Sequence, residues 1–403
     1  MTAWRCLACS HCLVIVAKSP PFPATQETHK EPLISVARWL LTFVSHKNPA
    51  LHWRQRLALA FLQAQRASFP TSHLRWLLRR VSTREAILQY SSKNSISHET
   101  IIIDDATAAS SVGDFDVPPP TLHVLDAPAA MQDDAGPTLL YFHGGGFVNP
   151  LRGAAHMPFI MRCATACRAT QVVILEYALA PEHPYPAQLV QCVMALRYLL
   201  EETNVRPGNL VLAGDSAGGQ LVGAVLAHIA KPSPYAASVR IEGKFRAALL
   251  VSPFVRLPTN TEAGSYESND GRDYLNQPQV DGFKVAWKGD ENEIWANLCG
   301  VEASDEVWSK VFPRDSHGLV EKVLVTVGTA EIFLDCCREF SREHVRAETV
   351  VANRGTDWAV LDGKDRLLAE CDGEVHVQVA LDSVVGYRDG VMERAIMAWL
   401  SRV

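Results

Sequence analysis

The 403-residue sequence lacks the features of several large protein classes. It has no uninterrupted apolar run of the roughly 20 residues that a membrane-spanning helix needs, because Arg38 interrupts the longer of two N-terminal apolar stretches. It has no dense Lys/Arg run and a formal net charge of −6, so we expect no nucleic-acid partner. Internal repeats and low-complexity tracts are also absent. With 48% hydrophobic and 20% charged residues, the chain is expected to be globular.

A dense cysteine framework is absent, since the ten cysteines are mostly scattered singly. A chain long enough to bury a large core does not need disulfides, so we expect reduced thiols and a cytoplasmic protein. Cys6, Cys9 and Cys12 repeat a C-x2-C spacing, but no fourth cysteine follows at a suitable distance. We therefore predict no metal and assign residues 1–30 to an N-terminal tail. A short apolar run in this tail keeps a signal peptide as an alternative.

The spacing of apolar residues divides the rest of the chain into regions. Over residues 31–116 apolar residues lie three and four apart, which predicts a helical cap region. Over residues 117–403 apolar strand-like runs alternate with helical stretches, which predicts an α/β fold with a mostly parallel sheet and helices on both faces. The segment 254–320 fits this alternation poorly, and it is longer than an ordinary connection between two elements. We expect it to form a cap insertion over the edge of the sheet where ligands bind.

A G-x-S-x-G motif stands where an apolar strand meets an amphipathic helix. It consists of Gly214, Asp215, Ser216, Ala217 and Gly218. Such a turn projects the serine oxygen above the sheet, and the two glycines allow the close backbone approach that the turn requires. The helix that follows directs its N-terminal amides toward developing negative charge. This context indicates a nucleophilic serine.

A second motif, H-G-G-G, follows another strand-like run about seventy residues upstream. It consists of His143, Gly144, Gly145 and Gly146. Three consecutive glycines remove side chains from a loop, so that its N–H groups can face a substrate oxygen as an oxyanion hole requires. The two motifs together indicate acyl-transfer chemistry at a serine.

With HGGG and GDSAG the sequence resembles the hormone-sensitive-lipase-like branch of the α/β-hydrolases, and its general appearance is similar to fungal esterase and hydrolase members. A third block, YALAPEHPYPAQ from Tyr177 to Gln188, matches the same branch, although Ala178 stands where many members have arginine. The resemblance covers roughly Leu122 to the C-terminus. It implies an α/β-hydrolase fold with a helical cap and no organic cofactor.

The resemblance also implies roles for the motif residues. Gly145 and Gly146 would form the oxyanion hole together with the amide of Ala217, and His143 would shape the glycine loop. The substrate would be a small-molecule ester, cleaved through an acyl-enzyme with a preference for short acyl chains. A homodimer is compatible with the sequence and stays open.

The remaining members of a catalytic triad must follow the serine in the order acid, then histidine. Glu331 stands three residues after Gly328, where the resembling family usually has its triad aspartate, and we favour it over Asp335, four residues further on. His376 follows the last plausible strand and is the predicted base. Its rival His344 continues a helical pattern with charged neighbours, which is typical of a solvated helix face.

Two other functions stay open at this stage. The same site chemistry can serve acyl transfer, lactone formation or cyclisation in making a natural product, since fold does not fix the reaction. A ligand receptor on this fold is less expected, because such proteins typically lack the histidine. For the pocket, we expect an enclosed apolar lining to which Trp287, Trp295 and Trp308 contribute.

Overall fold

The computed structural model describes most of the chain after residue 30. The described residues are 31–45, 48–69, 76, 78–104, 117–127, 136–257, 264–314 and 318–403. The predicted tail 1–30, with its three cysteines, lies outside them. No helix within the described ranges combines the length and apolar character that a membrane crossing requires.

A nine-stranded sheet forms the centre of the molecule, in the order β1-β2-β4-β3-β5-β6-β7-β9-β8. Its strands are β1 His98–Ile102, β2 Thr121–Asp126, β3 Thr138–Phe142, β4 Gln171–Glu176, β5 Leu210–Asp215, β6 Phe245–Val251, β7 Val320–Gly328, β8 Glu348–Ala352 and β9 Arg366–Cys371. The neighbouring pairs β1–β2 and β2–β4 are antiparallel. All the other neighbouring pairs, from β4–β3 to β9–β8 in this order, are parallel. The predicted α/β fold with a mostly parallel sheet is confirmed.

Helices cover both faces of this sheet. They are α1 Glu31–Ser45, α2 Trp53–Ser68, α3 Thr83–Asn94, α4 His156–Ala166, α5 Ala187–Arg197, α6 Ala217–Ala230, α7 Ser265–Ser268, α8 Gln277–Trp287, α9 Ser304–Val311, α10 Leu334–Glu339, α11 Gln378–Val384 and α12 Val391–Leu400. Alternate residues of β3 enter two separate apolar clusters, Leu140 and Phe142 on one face and Leu139 and Tyr141 on the other. This period of two places an apolar core on each side of the sheet.

One feature of the N-terminal region corrects the sequence prediction. Residues 31–116 were expected to be helical, but β1 lies within this range and pairs antiparallel with β2. It is a five-residue strand, HETII, at the sheet edge, and none of its residues is buried. A short and exposed edge strand carries too little apolar alternation to be recognised beside longer helical signals. The division into cap and catalytic domain stays a prediction.

Helices α2 and α8 have strong local start signals. His52 and Gln55 form a reciprocal capping box at the start of α2, and Asn276 and Gln279 form another at the start of α8. Each box satisfies backbone donors that a helix N-terminus leaves unpaired. Helix α2 packs along α1 and contacts α11, so the N-terminal helices lie next to the segment that follows β9.

Candidate active site

Ser216 stands on a sharp turn between β5 and α6. Its backbone has φ 53° and ψ −116°, a conformation in which a non-glycine residue is strained. The turn is held in place because the Ser216 amide donates to Val251 O at 2.8 Å and the Phe254 amide donates to Ser216 O at 3.1 Å. A Cβ at Gly218 would lie 1.9 Å from the Phe142 carbonyl oxygen, so only glycine fits there. The predicted strand–turn–helix context is therefore present.

The structure brings the predicted base and acid to this serine. His376 Nε2 lies 2.9 Å from Ser216 Oγ, and His376 Nδ1 lies 3.4 Å from Glu331 Oε1. The three residues come from turns after β5, β7 and β9, which end at the same edge of the sheet. The imidazole and the carboxylate are buried, with exposed fractions of 2% and 0%. Serine, histidine and acid thus form a connected hydrogen-bond relay.

Glu331 is fixed by groups on both sides of it. Its Oε2 accepts hydrogen bonds from the Ser252 hydroxyl at 2.7 Å and from the Gly328 amide at 2.8 Å, and its Oε1 is directed to His376. Asp335 instead accepts the Ser265 amide at 2.8 Å and pairs with Arg338 on the surface of α10. Of the two candidate acids, only Glu331 is in contact with the imidazole.

His344 also differs from its sequence interpretation. It was expected on a solvated helix face, but only 8% of the residue is exposed. Its ring packs near Trp308 and Phe340, and Nδ1 lies 3.4 Å from Asp305. The charged residues adjacent in sequence indicated solvent exposure, but the His344 ring itself is buried, so the sequence pattern alone predicted the wrong environment.

The glycine loop supplies amides next to Ser216. Gly145 and Gly146 have φ values of 128° and 62°, and among the described residues no hydrogen bond uses either of their N–H groups. Ala217 is the first residue of α6, so its N–H lacks an intrahelical acceptor. The Gly144 amide, by contrast, donates to Asp215 at 3.0 Å. The three amides expected to form an oxyanion hole are therefore available for a ligand oxygen.

Buried polar side chains hold the glycine loop in place. Asp215 Oδ1 also accepts the Tyr141 hydroxyl at 2.6 Å, so one carboxylate ties the nucleophile turn to the glycine loop. His143 stacks on Tyr177 with ring centroids 4.3 Å apart, and its Nδ1 lies 2.7 Å from Gly144 O. Burial lowers the pKa of His143 to about 4, so the ring is neutral near pH 7. These residues shape the loop, in keeping with the predicted supporting role.

The charge balance around His376 favours its protonated form. Burial lowers the pKa of the imidazole, but the hydrogen bond and charge of Glu331, with the charges of Asp273 and Asp215, raise it above its ordinary value on balance. A base with a raised pKa accepts the serine proton more readily.

Asp273 is a second buried carboxyl near the imidazole that sequence reasoning missed. It lies in the irregular segment before α8, where neither periodicity nor a motif singles it out.

The cleft beside Ser216 is apolar and comprises about 330 Å³ of space, including its open side. Helix α8 and the residues just before it supply much of its lining, namely Leu275, Val280, Phe283 and Trp287.

The predicted lining needs a correction, because Trp295 and Trp308 do not reach the cleft. Both are core residues whose indole N–H groups donate to the carbonyls of Lys231 and Leu298. Phe283 was not foreseen, since one phenylalanine in a short helix carries no distinguishing signal.

Side chains that could ligate a metal are not clustered in the described part of the chain. No group of three or more His, Cys, Asp or Glu side chains is placed there so that it could hold a metal ion. The seven cysteines among the described residues are free and buried. The site consists of a serine, an imidazole, two buried carboxyl groups and backbone amides.

Comparison with known proteins agrees with this geometry. A family model described as alpha/beta hydrolase fold matches residues 139–355. A protein of Schizosaccharomyces pombe named as a steryl acetyl hydrolase is 27% identical over 208 residues, which are 49% of this chain and 51% of that protein. Carboxylesterase NlhH of Mycobacterium tuberculosis is 40% identical over 108 residues, 26% of this chain and 32% of that protein. The chain thus matches about half or less of the length of these curated relatives.

A solved structure is similar over a larger part of the chain. Carboxyl esterase 2 from the mycorrhizal fungus Tuber melanosporum superimposes with a TM-score of 0.56 at 20% sequence identity. The superposition covers 76% of this chain and 87% of the esterase. At this level of identity the likeness supports the fold.

Proposed function

The chain belongs to the α/β-hydrolase fold family, and on that premise we propose that it is a serine hydrolase that cleaves carboxylic esters through an acyl-enzyme intermediate. One observation carries the proposal: Ser216 Oγ lies 2.9 Å from His376 Nε2, in a cleft that Gly146 and Ala217 also line. Among the described residues no hydrogen bond uses the N–H groups of Gly145 or Gly146, which supports their proposed role as oxyanion donors. A nucleophile, its base and donors for an oxyanion are thus together in one apolar cleft.

The proposed reaction begins with attack of Ser216 Oγ on the ester carbonyl carbon. His376 Nε2 takes the serine proton as the new C–O bond forms, and the carbonyl oxygen becomes an oxyanion that the three amides stabilise. The tetrahedral intermediate collapses, the bond to the alcohol breaks, and the leaving alkoxide takes the proton from His376. Glu331 holds the imidazole in the orientation and tautomer that this transfer needs.

Water then completes the turnover. His376 removes a proton from water as the water oxygen attacks the acyl carbon. When the second tetrahedral intermediate collapses, the bond from the acyl carbon to Ser216 Oγ breaks and His376 returns its proton to that oxygen. The carboxylic acid leaves, and the serine is restored. No step needs a metal or an organic cofactor.

The first test is Ser216→Ala with a fluorophosphonate probe and p-nitrophenyl acetate. We expect loss of covalent labelling and loss of turnover by at least about 10³-fold, with an unchanged far-UV circular dichroism spectrum. Labelling of the variant at the wild-type rate would remove Ser216 from the mechanism. A wild-type protein that is labelled at Ser216 but hydrolyses no ester would contradict ester hydrolysis and favour acyl transfer instead.

The proposal extends to short acyl chains of about two to six carbons, because the bulky side chains of α8 limit the room beside the serine. A panel of p-nitrophenyl esters from acetyl to long-chain measures this preference. Phe283→Ala should move the optimum to longer chains by opening the cleft. Val285→Ala, on the same helix but 76% exposed, is the matched control and should leave the optimum unchanged. A wild-type activity that rises steadily past about ten carbons would contradict the narrow cleft.

The cytoplasmic location is part of the same proposal and rests on the seven free, buried cysteines of the described residues. Fractionation of the native host followed by fluorophosphonate labelling would test it. Labelled protein in the secreted fraction would contradict a cytoplasmic location.

A further inference from the structure

Asp273 is a buried carboxyl next to the proposed triad that the mechanism has not yet used. It lies in the segment between α7 and α8, within the predicted cap insertion, and its exposed fraction is 0%. A carboxylate removed from water at this depth is costly unless hydrogen bonds and an opposite charge compensate it. The groups that surround Asp273 therefore indicate what it does.

Backbone amides provide the hydrogen bonds. Asp273 Oδ1 accepts the amide of Tyr274 at 2.7 Å and that of Leu275 at 3.3 Å, which are local contacts typical of a turn. Asp273 Oδ2 accepts the amide of Ile332 at 3.0 Å, across 59 positions of sequence. Ile332 directly follows Glu331, so this bond joins the segment before α8 to the loop that presents the proposed triad acid.

The opposite charge comes from His376. Burial raises the pKa of Asp273 to about 6, against the attraction of His376 and the hydrogen bonds of the Ile332 and Leu275 amides, while Glu331 adds repulsion. His376 is the positive charge among the largest influences on Asp273. Glu331, Asp273 and Asp215 are the carboxylates with the largest influence on His376. The imidazolium is thus the positive charge that Asp273 can stabilise.

Helix α2 fixes the same segment from its other side. The Gln63 side-chain amide donates to the backbone carbonyl oxygens of Gly271, Arg272 and Asp273, at 2.9, 3.3 and 3.2 Å. Asn269, in the same segment, donates from its side chain to Glu331 O at 2.8 Å. The segment is therefore attached both to an N-terminal helix and to the acid loop, which fixes the position of Asp273 beside that loop.

We propose that Asp273 is a positioning residue for the Glu331–His376 pair, holding the acid loop through Ile332 and stabilising the imidazolium that forms when Ser216 loses its proton. The inference rests on the proposed serine-hydrolase function. It makes the cap insertion a supporting part of the catalytic site as well as a wall of the cleft. Because two buried carboxylates act on one imidazole, loss of either should reduce its basicity.

The test is Asp273→Asn, which keeps the shape of the side chain and removes its charge. Its matched control is Asp270→Asn, which removes an exposed carboxylate from the same segment. The rate of fluorophosphonate labelling of Ser216 is measured from pH 5 to 9, together with kcat and KM for p-nitrophenyl acetate. For Asp273→Asn we expect the labelling plateau and kcat to fall at least about tenfold with little change in KM. We also expect the acidic limb of the profile to move to lower pH.

The outcomes separate this role from a structural one. A fall in rate without movement of the acidic limb, or a wild-type profile, would overturn the proposal, since either means that the charge does not act on His376. Asp273→Glu restores the charge, so its acidic limb should lie closer to the pH of the wild-type limb than that of Asp273→Asn does. If wild-type protein is labelled but hydrolyses no ester, the proposed function fails while the labelling profile still decides the role of Asp273. If wild-type protein is not labelled, both fail.

Discussion

At the scale of single residues, the proposed chemistry depends on how each polar atom of the site is held. Ser216 is strained by its turn, Glu331 is held by a hydroxyl and an amide, and His376 lies between these two residues. None of the three relies on a solvent-exposed side chain for its position. Such preorganisation lowers the cost of reaching the transition state, because little has to move when charge develops.

Glu331→Gln tests the assignment of the acid at this scale. The substitution keeps the length of the side chain but removes the charge that orients and stabilises the imidazolium. We expect kcat to fall by about 10² to 10⁴ with KM nearly unchanged. Steady-state kinetics on a short-chain p-nitrophenyl ester gives both constants. Asp335→Asn is the control, since that carboxylate is half-exposed on α10, and a larger loss for it would mean that the wrong acid was assigned.

At the scale of elements, the glycine loop and helix α8 both line the cleft and are in contact at Gly146. A Cβ at Gly146 would lie 2.6 Å from Cδ2 of the Phe283 ring, and the backbone there has φ 62°. The loop and the helix are therefore in contact at Gly146, where a Cβ would require the Phe283 ring to move and would also strain the backbone. Gly146, a proposed oxyanion donor, is thereby in contact with an element of the predicted cap insertion.

Gly146→Ala is expected to displace this amide from the oxyanion position. We expect kcat/KM to fall about 10²-fold, comparable to removal of one oxyanion donor. Gly282→Ala, in α8 next to Phe283, is the matched control, because a Cβ there meets no atom within 4 Å. Equal activities of the two variants would show that contact between loop and helix does not position the amide.

At the scale of the whole molecule, a buried polar cluster joins α2 to the segment that carries His376. The side-chain amide of Gln55 donates to Glu374 at 3.2 Å and to Asp382 at 3.0 Å. Burial raises the pKa of Glu374 to about 7 and that of Asp382 well above its ordinary value. Such groups retain protons in the folded state that the unfolded chain has already released. Their stabilising effect is present below the pKa of the unfolded chain and is lost as pH rises through the folded pKa.

The thermal stability of the protein should therefore decrease between pH 5 and pH 8 through this cluster. Asp382→Asn removes one of the two acids and should make that decrease smaller by about 2 °C or more in Tm, as expected for a free-energy difference of about 1 kcal/mol. Calorimetric Tm values at several pH values give the slope, which is compared with that of Asp389→Asn, an exposed carboxylate nearby. A slope equal to that of wild type would mean that Asp382 does not titrate in this range.

Much of the site could be predicted from the sequence because its main features are local backbone requirements. The turn at Ser216 needs glycines two residues away on each side, and the oxyanion loop needs consecutive glycines, so both leave motifs that can be read without a structure. The parallel sheet was predicted for a similar reason, since strands buried on both faces are continuous apolar runs. His376 followed from chain order, although it is 160 positions from Ser216.

Other features were decided only by the tertiary structure. Glu331 contacts His376 and Asp335 does not, and Trp287 lines the cleft whereas Trp295 and Trp308 do not. Asp273 and Phe283 become part of the site because segments far apart in sequence pack together. Such contacts depend on the packing of whole elements, and no short sequence pattern records them, because a buried carboxyl or phenylalanine has the same local signature wherever it lies.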